Sequence, residues 1–288
     1  MTPTPAVPVS EAIAAPSPED VKRSVREAYN QAAPRYARFI APTFVPIARR
    51  ILALARVNTD DLHVDLATGT GLVPAVADDR RVINCIAPWR AAMDFSSSML
   101  RVAREAARST RFVQGELDRL PFRTASIDLL TLSLALHHLP TPRHALPELR
   151  RVLRPRGRLV LAAWSDERSD LWRAFDAWFE RAGLGRVGSG RPADLSIDTS
   201  ERLTAVLREV GGFRHVEVTC ERPPILFPTL DDFWEWRISF PETYRAIAAV
   251  EPTRLPALRD ACLRKLSPLV GAGEIRADQA VLFAVARP

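Results

Sequence analysis

The stretch Val64-Asp65-Leu66-Ala67-Thr68-Gly69-Thr70-Gly71 governs the fold of the chain. The apolar residues from Leu62 to Leu66 predict a short buried strand, and the residues after them predict a tight turn. A helix is expected to begin near Leu72, with Pro74 in its first turn. Glycine permits backbone angles that other residues avoid, and it lets a ligand approach the main chain closely. This stretch therefore predicts a ligand-binding turn between a strand and a helix.

Two carboxylates indicate which kind of ligand that turn binds. Asp65 comes just before the turn, and Asp94 ends the second predicted strand. The glycine motif of a dinucleotide-binding site has a third small residue at the position where this chain has Pro74. This difference argues against a nicotinamide-dependent oxidoreductase. A carboxylate beside the glycines suits an ammonium group, and an acid at the end of the second strand can accept both hydroxyls of a ribose. The alternatives are that Asp65 only complements a helix N-terminus and that Asp94 only caps the helix beginning at Ser96.

Strands and helices alternate along the rest of the chain. The segment from Ile127 to Ala135 is almost wholly apolar, as in a strand that is buried on both faces of a parallel sheet. The alternation predicts a doubly wound α/β sheet. Pro34 is expected to interrupt the first helix.

Four further motifs follow the glycine turn in order. They are Met93-Asp94-Phe95-Ser96-Ser97-Ser98-Met99-Leu100, then Gly115-Glu116 with Leu120-Pro121-Phe122, then Ser126-Ile127-Asp128-Leu129-Leu130 leading into Leu136-His137-His138-Leu139, and finally residues 148–159. Together with the turn, these motifs resemble the class I S-adenosylmethionine (SAM)-dependent methyltransferases, in the small-molecule branch that includes quinone C-methyltransferases and natural-product methyltransferases. The resemblance implies a Rossmann-like seven-stranded sheet, mostly parallel with the last strand antiparallel, and helical lid inserts.

The resemblance also implies SAM as the cofactor and gives each motif a part of it. The residues assigned to the methionyl end are Asp65, Gly69 and Gly71, and Asp94 is assigned to the ribose. Those assigned to the adenine are Met99, Glu116 and Leu117, and the cofactor-binding residues Ala67, Thr68 and Phe95 complete these motifs. Leu134 is assigned to the sulfonium, and Tyr29 and Tyr36 to the helix that folds over the cofactor in relatives.

Three departures from the family pattern are visible. Ala67 replaces the first glycine of the usual turn, and Glu116 replaces the aspartate that usually accepts a hydrogen bond from the adenine amino group. The segment 82–90 lacks the apolar character of the usual second strand.

The resemblance and the chain pattern together divide the protein into seven parts. They are a disordered tail (1–18), N-terminal helices covering the cofactor (19–56), the SAM-binding core (57–165), a helical insert (166–199), a core helix and strand (200–229), a helical lid insert (230–272) and the last core strand (273–288). Both inserts are rich in aromatic residues. They are expected to cover the carboxyl ends of the strands, where open sheets bind ligands, unless their aromatic residues only pack them onto the core.

Three side chains are candidates for proton transfer. His137 and His138 follow the buried fourth strand, and histidine is the side chain most readily poised near neutral pH. Strand alternation would point them in opposite directions, which favours His137 slightly. Asp166 follows the fifth strand and is the third candidate. The alternatives are a histidine that only bonds the loop backbone and an aspartate that only caps a helix.

The amino-acid composition limits the classes of molecule that the chain is expected to bind. The net charge is +6, but only Lys22 and Lys265 are lysines, and the arginines are scattered among acids and apolar residues. That distribution, with no Asn/Asp-Pro-Pro-aromatic loop after the fourth strand, makes a nucleic-acid methyltransferase the less favoured alternative. A SAM-binding protein that has lost methyl transfer is a second alternative. We expect a small, apolar or aromatic acceptor, and the oligomeric state, a homodimer included, stays open.

The sequence also supports expectations about the cellular location of the protein and about metal binding. No apolar run approaches the roughly 20 residues that span a bilayer, and the N-terminus does not have the pattern of a secretory signal. The cysteines, Cys85, Cys220 and Cys262, are far apart and predict buried free thiols in a reducing cytoplasm. No residues have metal-ligand spacing, so no metal site is expected.

Overall fold

A computed structural model describes residues 17–79, 89–139, 142–187, 196–271 and 273–288. The α-helices in these ranges are α1 (Pro18–Arg35), α2 (Val45–Ala55), α3 (Leu72–Asp78), α4 (Ser97–Ala106), α5 (Pro142–Val152), α6 (Asp170–Arg181), α7 (Ser200–Ala205), α8 (Leu230–Arg237), α9 (Pro241–Ala248) and α10 (Leu255–Leu266). The strands are β1 (Leu62–Leu66), β2 (Trp89–Asp94), β3 (Arg111–Gln114), β4 (Ile127–Ser133), β5 (Leu153–Trp164), β6 (His215–Glu221), β7 (Leu226–Phe227), β8 (Ile275–Arg276) and β9 (Val281–Arg287).

A seven-stranded sheet with the order β3-β2-β1-β4-β5-β9-β6 forms the centre of the protein. The pairs from β3 to β5 are parallel, whereas β9 runs antiparallel to both of its neighbours. The apolar residues of β4 and β5 are buried because helices cover both faces of the sheet. The predicted fold class is confirmed, including the antiparallel last strand.

The N-terminal helix differs from the prediction at both ends. Ser17 caps α1 in a reciprocal box with Asp20, and Pro18 occupies the first turn, so these two residues belong to the helix and not to a tail. The rest of the predicted tail, residues 1–16, lies outside the described residues. Pro34 does not interrupt the helix, since the chain continues through a π-helical turn (Tyr36–Ile40) and a 3₁₀ turn (Ala41–Phe44) into α2. The wider turn accommodates the loss of one backbone donor near the helix end.

The two inserts pack their aromatic rings together beside the sheet. Trp236 of α8 lies at the centre of this cluster, with ring centroids 5.1 Å from Trp172 of α6 and 4.9 Å from Phe240. Phe44, which precedes α2, joins the cluster at 6.3 Å from Trp236. The inserts and the N-terminal segment therefore share one apolar core.

The cysteine prediction is partly wrong. Cys262 is a buried free thiol, but Cys220 is exposed, because β6 is the edge strand of the sheet. Cys85 lies outside the described residues. Among the helices that the structure describes, none has the length and apolar character needed to cross a membrane.

Candidate functional site

The glycine turn after β1 has a left-handed backbone at three positions. The φ angles are +49° at Ala67, +55° at Gly69 and +78° at Gly71. Gly71 also needs its missing side chain, since a Cβ there would lie 2.9 Å from the Cβ of Ala103 in α4. A Cβ at Gly69 would meet no atom within 4 Å. The turn therefore fits tightly against α4 at Gly71 and leaves open space at Gly69.

Asp94 joins the end of β2 to this turn. One carboxylate oxygen accepts a hydrogen bond from the amide of Gly69 at 2.8 Å, and the other accepts from the amide of Ser96 at 2.8 Å. Burial raises the pKa of Asp94 to about 6, although these amides oppose the shift. The carboxylate is thus held in one orientation beside the glycine turn, as the sequence predicts.

Asp65 faces the protein interior and does not reach the cavity wall. It accepts a hydrogen bond from the hydroxyl of Thr131 at 2.6 Å, and that hydroxyl lies 2.8 Å from Nε2 of His63. Burial raises the pKa of Asp65 to about 7 and lowers that of His63 to about 3. The neutral His63 donates to Thr131, which donates to Asp65. Sequence reasoning missed this chain, because its members sit on two strands that the fold brings side by side.

A first cavity opens at the carboxyl ends of β1, β2 and β4. It encloses roughly 900 Å³, including the open solvent at its mouth. The predicted cofactor residues on its wall are Tyr29, Tyr36, Ala67, Gly69, Asp94, Phe95, Glu116, Leu117 and Leu134. Asp65, Thr68, Gly71 and Met99 are not on the wall, and Met99 is fully buried behind it.

A lysine to which the sequence analysis gave no role also lines this cavity. Lys22 of α1 lies 3.0 Å from a carboxylate oxygen of Glu116, and it also bonds Asp118. Although burial lowers the pKa of Lys22, the hydrogen bonds to Asp118 and Glu116 raise it above its usual range. Glu116 therefore accepts from Lys22, in addition to any ligand contact. Lys22 could have been suspected, because it is one of only two lysines.

A second cavity, of roughly 950 Å³ including its mouth, adjoins the first. Its wall combines α1, the end of β5 and both inserts, and it includes Trp164, Trp172, Phe240, Arg168 and Arg237. Tyr29, Tyr36, Leu134 and His138 line both cavities. The inserts thus form a wall of the site as well as an apolar core.

The two histidines differ from the prediction. They lie in a 3₁₀ turn (Leu136–His138), because β4 already ends at Ser133, so strand alternation does not apply. Their ring centroids are 3.9 Å apart, and both line the second cavity. His138, and not His137, also lines the first, and its Nε2 lies 2.6 Å from the hydroxyl of Tyr29. Burial raises the pKa of Tyr29 well above its usual value, so this phenol is protonated. The geometry favours His138 as the reactive histidine.

The structure contradicts the prediction that Asp166 takes part in proton transfer. Its side chain is exposed, accepts from Ser165 at 3.3 Å and lines neither cavity. The loop after β5 turns away from the site, since the amide of Asp166 bonds the carbonyl of Asp198. This residue has no place in the site.

Leu134 marks the point where the cavities meet. It has a φ of +52°, which is unusual for a residue with a branched side chain. Its amide bonds the carbonyl of Ala162 in β5 at 2.9 Å, which anchors the strained backbone. Strain of this kind concentrates at functional sites.

Comparisons with known proteins agree with this geometry. Residues 64–161 match a family model described as a methyltransferase domain. The chain is 30% identical over 181 residues to a malonyl-[acyl-carrier protein] O-methyltransferase of Marinomonas sp. (strain MWYL1), covering 62% of this chain and 64% of that protein. It is 38% identical over 128 residues to a demethylmenaquinone methyltransferase of Paenarthrobacter aurescens (strain TC1), covering 43% and 47%.

The chain thus spans just under two thirds of the length of the first relative and about half that of the second. Among solved structures, a SAM-dependent methyltransferase from Thermotoga maritima, described as a possible histamine N-methyltransferase, has a TM-score of 0.55 at 16% identity, covering 91% of this chain and 99% of that one. That likeness supports the fold. Residues 64–161 therefore match a methyltransferase domain, and the sheet order and the site at the carboxyl ends of the strands agree with the fold of the class I SAM-dependent methyltransferases.

Proposed function

We propose that this protein transfers the methyl group of SAM to a small apolar or aromatic metabolite. The observation that carries the proposal is the meeting of two cavities at Tyr29, Leu134 and His138. One cavity has the features of a cofactor site, and the other is lined largely by aromatic rings. A methyl donor in the first and an acceptor in the second would face each other across this junction.

The residues of the first cavity fit SAM. The carboxylate of Asp94 is oriented by two backbone amides and lies on the wall, where it can accept the ribose hydroxyls. The open space over Gly69 leaves room for the methionyl part against the main chain. Leu117 also lines this wall, and the family resemblance assigns its backbone amide to the adenine ring. When bound, SAM supplies a methyl group on a sulfonium whose leaving group is a neutral thioether.

Alignment and proton removal are the contributions of the chain. Holding two reactants in line can lower a barrier by roughly 7–11 kcal/mol, which suits a reaction with a good leaving group. The Tyr29 hydroxyl can donate its proton to Nε2 of His138 while accepting the proton that the acceptor releases. Both side chains line both cavities, so this relay ends where the acceptor would lie. The choice among O-, N- and C-methylation depends on the acceptor.

The two alternatives make different predictions. A nucleic-acid methyltransferase would bind RNA at low salt, since phosphate contacts strengthen as salt is removed. A SAM-binding protein without methyl transfer would bind the cofactor and yield no methylated product.

The test is a search for methylated product, followed by variants at the junction. Labelled SAM is incubated with the protein and a library of small aromatic compounds, and products are read by mass spectrometry. With the product in hand, His138→Asn is expected to lower kcat by about 10²–10⁴-fold, the usual contribution of a positioned base. Tyr29→Phe should lower kcat less, because a water can replace the relay. Affinity for S-adenosylhomocysteine (SAH), the demethylated product, should stay within about threefold in both variants.

His144 of α5 provides the matched control, because it lines neither cavity. His144→Asn should leave kcat unchanged. No product from any compound, or an unchanged kcat in His138→Asn, would contradict the proposal.

A further inference from the structure

A buried arginine forms part of the wall of the second cavity. Arg237 is the last residue of α8, and it is 1% exposed. A charge removed from water is costly unless it is paired and hydrogen-bonded. The partners of this guanidinium therefore decide whether it is only structural.

One carboxylate serves two arginines here. Asp176 of α6 accepts a hydrogen bond from Arg237 with one oxygen, and its other oxygen lies 2.7 Å from Nη1 of Arg168. Both arginines line the second cavity. Glu242 is also on this wall, and its carboxylate acts on Arg237 more weakly than that of Asp176 because it is exposed to water. Asp176 is thus shared between two arginines, and one carboxylate does not neutralise the charge of both.

The guanidinium of Arg237 also has an unused donor. Its Nε is buried and has no hydrogen-bond partner among the residues that the structure describes. A buried donor without a partner costs free energy, which a ligand oxygen would recover.

Aromatic rings surround this guanidinium. Its Cζ lies 4.6 Å from the ring centroids of Trp172 and Phe175 and 5.3 Å from that of Phe240. These rings hold the cation in place, and two of them, Trp172 and Phe240, also line the cavity. The planar guanidinium fork matches the geometry of a carboxylate.

We infer that Arg237 forms an anion subsite in the second cavity, and that the methyl acceptor is an apolar or aromatic compound with a carboxylate or a similar anionic oxygen. The inference rests on the proposed function, because the second cavity is taken as the acceptor site. The apolar body would lie among the rings, with the anionic group at Arg237 and the methylated atom towards His138.

The test compares ligands of equal shape and different charge. The full chain, saturated with SAH, is titrated by calorimetry with 2-naphthoate and with 2-naphthamide, then with benzoate and benzamide. At least one acid is expected to bind about tenfold or more tightly than its amide, the range for a hydrogen bond to a charged group. Equal binding of acid and amide in both pairs would overturn the inference.

Variants locate the effect. Arg237→Met should abolish the preference for the acid while SAH affinity stays within about twofold, and Arg245→Met, which removes an exposed arginine on α9, should keep it. A preference that survives Arg237→Met in a variant that still binds SAH would overturn the inference. If Arg237→Met does not fold, the comparison of acid and amide binding in the unaltered chain still tests the inference. Failure of the proposed function would appear separately, as absent SAH binding or absent methylated product.

Discussion

The two cavities that meet at Leu134 are built in opposite ways. The first lies mostly on the turns after the consecutive strands β1, β2, β3 and β4, so short stretches of sequence contain most of its wall. The second is assembled from α1, α6, α8 and the segment before α2, which are far apart in the chain. The comparison teaches that the proposed cofactor site is built from local backbone geometry and the proposed acceptor site from long-range packing.

The largest expected effect is confined to the first cavity. Asp94→Ala removes the proposed ribose contacts and leaves the amides of Gly69 and Ser96 without their acceptor. SAH should bind about 100-fold more weakly or not at all, since each hydrogen bond to a charge contributes about 1.5–3 kcal/mol. Calorimetry measures the affinity, and binding of 2-naphthoate to the ligand-free protein should be unchanged. Unchanged SAH affinity would refute the ribose assignment.

A smaller effect should follow from pH. Because burial raises the pKa of Asp94 to about 6, about one in ten of these carboxyls is ionised at pH 5 in the ligand-free protein. SAH affinity should therefore fall about tenfold from pH 7.5 to pH 5. Asp65, whose pKa is about 7, titrates in the same range but lies off the wall. Asp94→Asn should remove the pH dependence of SAH affinity and Asp65→Asn should retain it, and the reverse pattern would contradict the account.

The same two groups act on stability with the opposite sign. Their pKa values are raised in the folded protein, so their contribution to stability is fully present below about pH 4 and is lost as pH rises through 6 to 7. The ligand-free protein should therefore gain stability from these groups as the pH falls from 8 to 5, while SAH affinity weakens.

The smallest expected effects separate two glycines of one turn. Gly71→Ala places a Cβ against Ala103 and should lower the free energy of unfolding by about 1–3 kcal/mol, the usual cost of overpacking. Gly69→Ala meets no protein atom and should cost only about 1 kcal/mol for its left-handed backbone. It should weaken SAH binding more than it weakens the fold. Denaturant titration and calorimetry of both variants provide the comparison, and equal losses of stability would contradict it.

The success of the predictions made from the sequence follows the same division between local geometry and long-range packing. The glycine turn, the position of Asp94 at the end of β2 and the sheet were predicted correctly, since each depends on residues close together in the chain; the ribose-binding role of Asp94 stays a prediction. Asp166 and the alternation of His137 and His138 were predicted wrongly, because strand ends and loop directions depend on tertiary contacts. Arg237 and the partnership of Tyr29 with His138 could not be predicted, since each depends on elements that meet only in the fold.

The most direct measurement of the central claim is where the methyl group lies. SAM with a ¹³C-labelled methyl group, bound to the full chain, should show nuclear Overhauser contacts to the methyl groups of Leu134 and to the rings of Tyr29 and His138. His138→Asn identifies the His138 signals by their loss. Contacts to Leu117 and Glu116 without any to Leu134 would place the methyl group at the wrong end of the cavity and contradict the account.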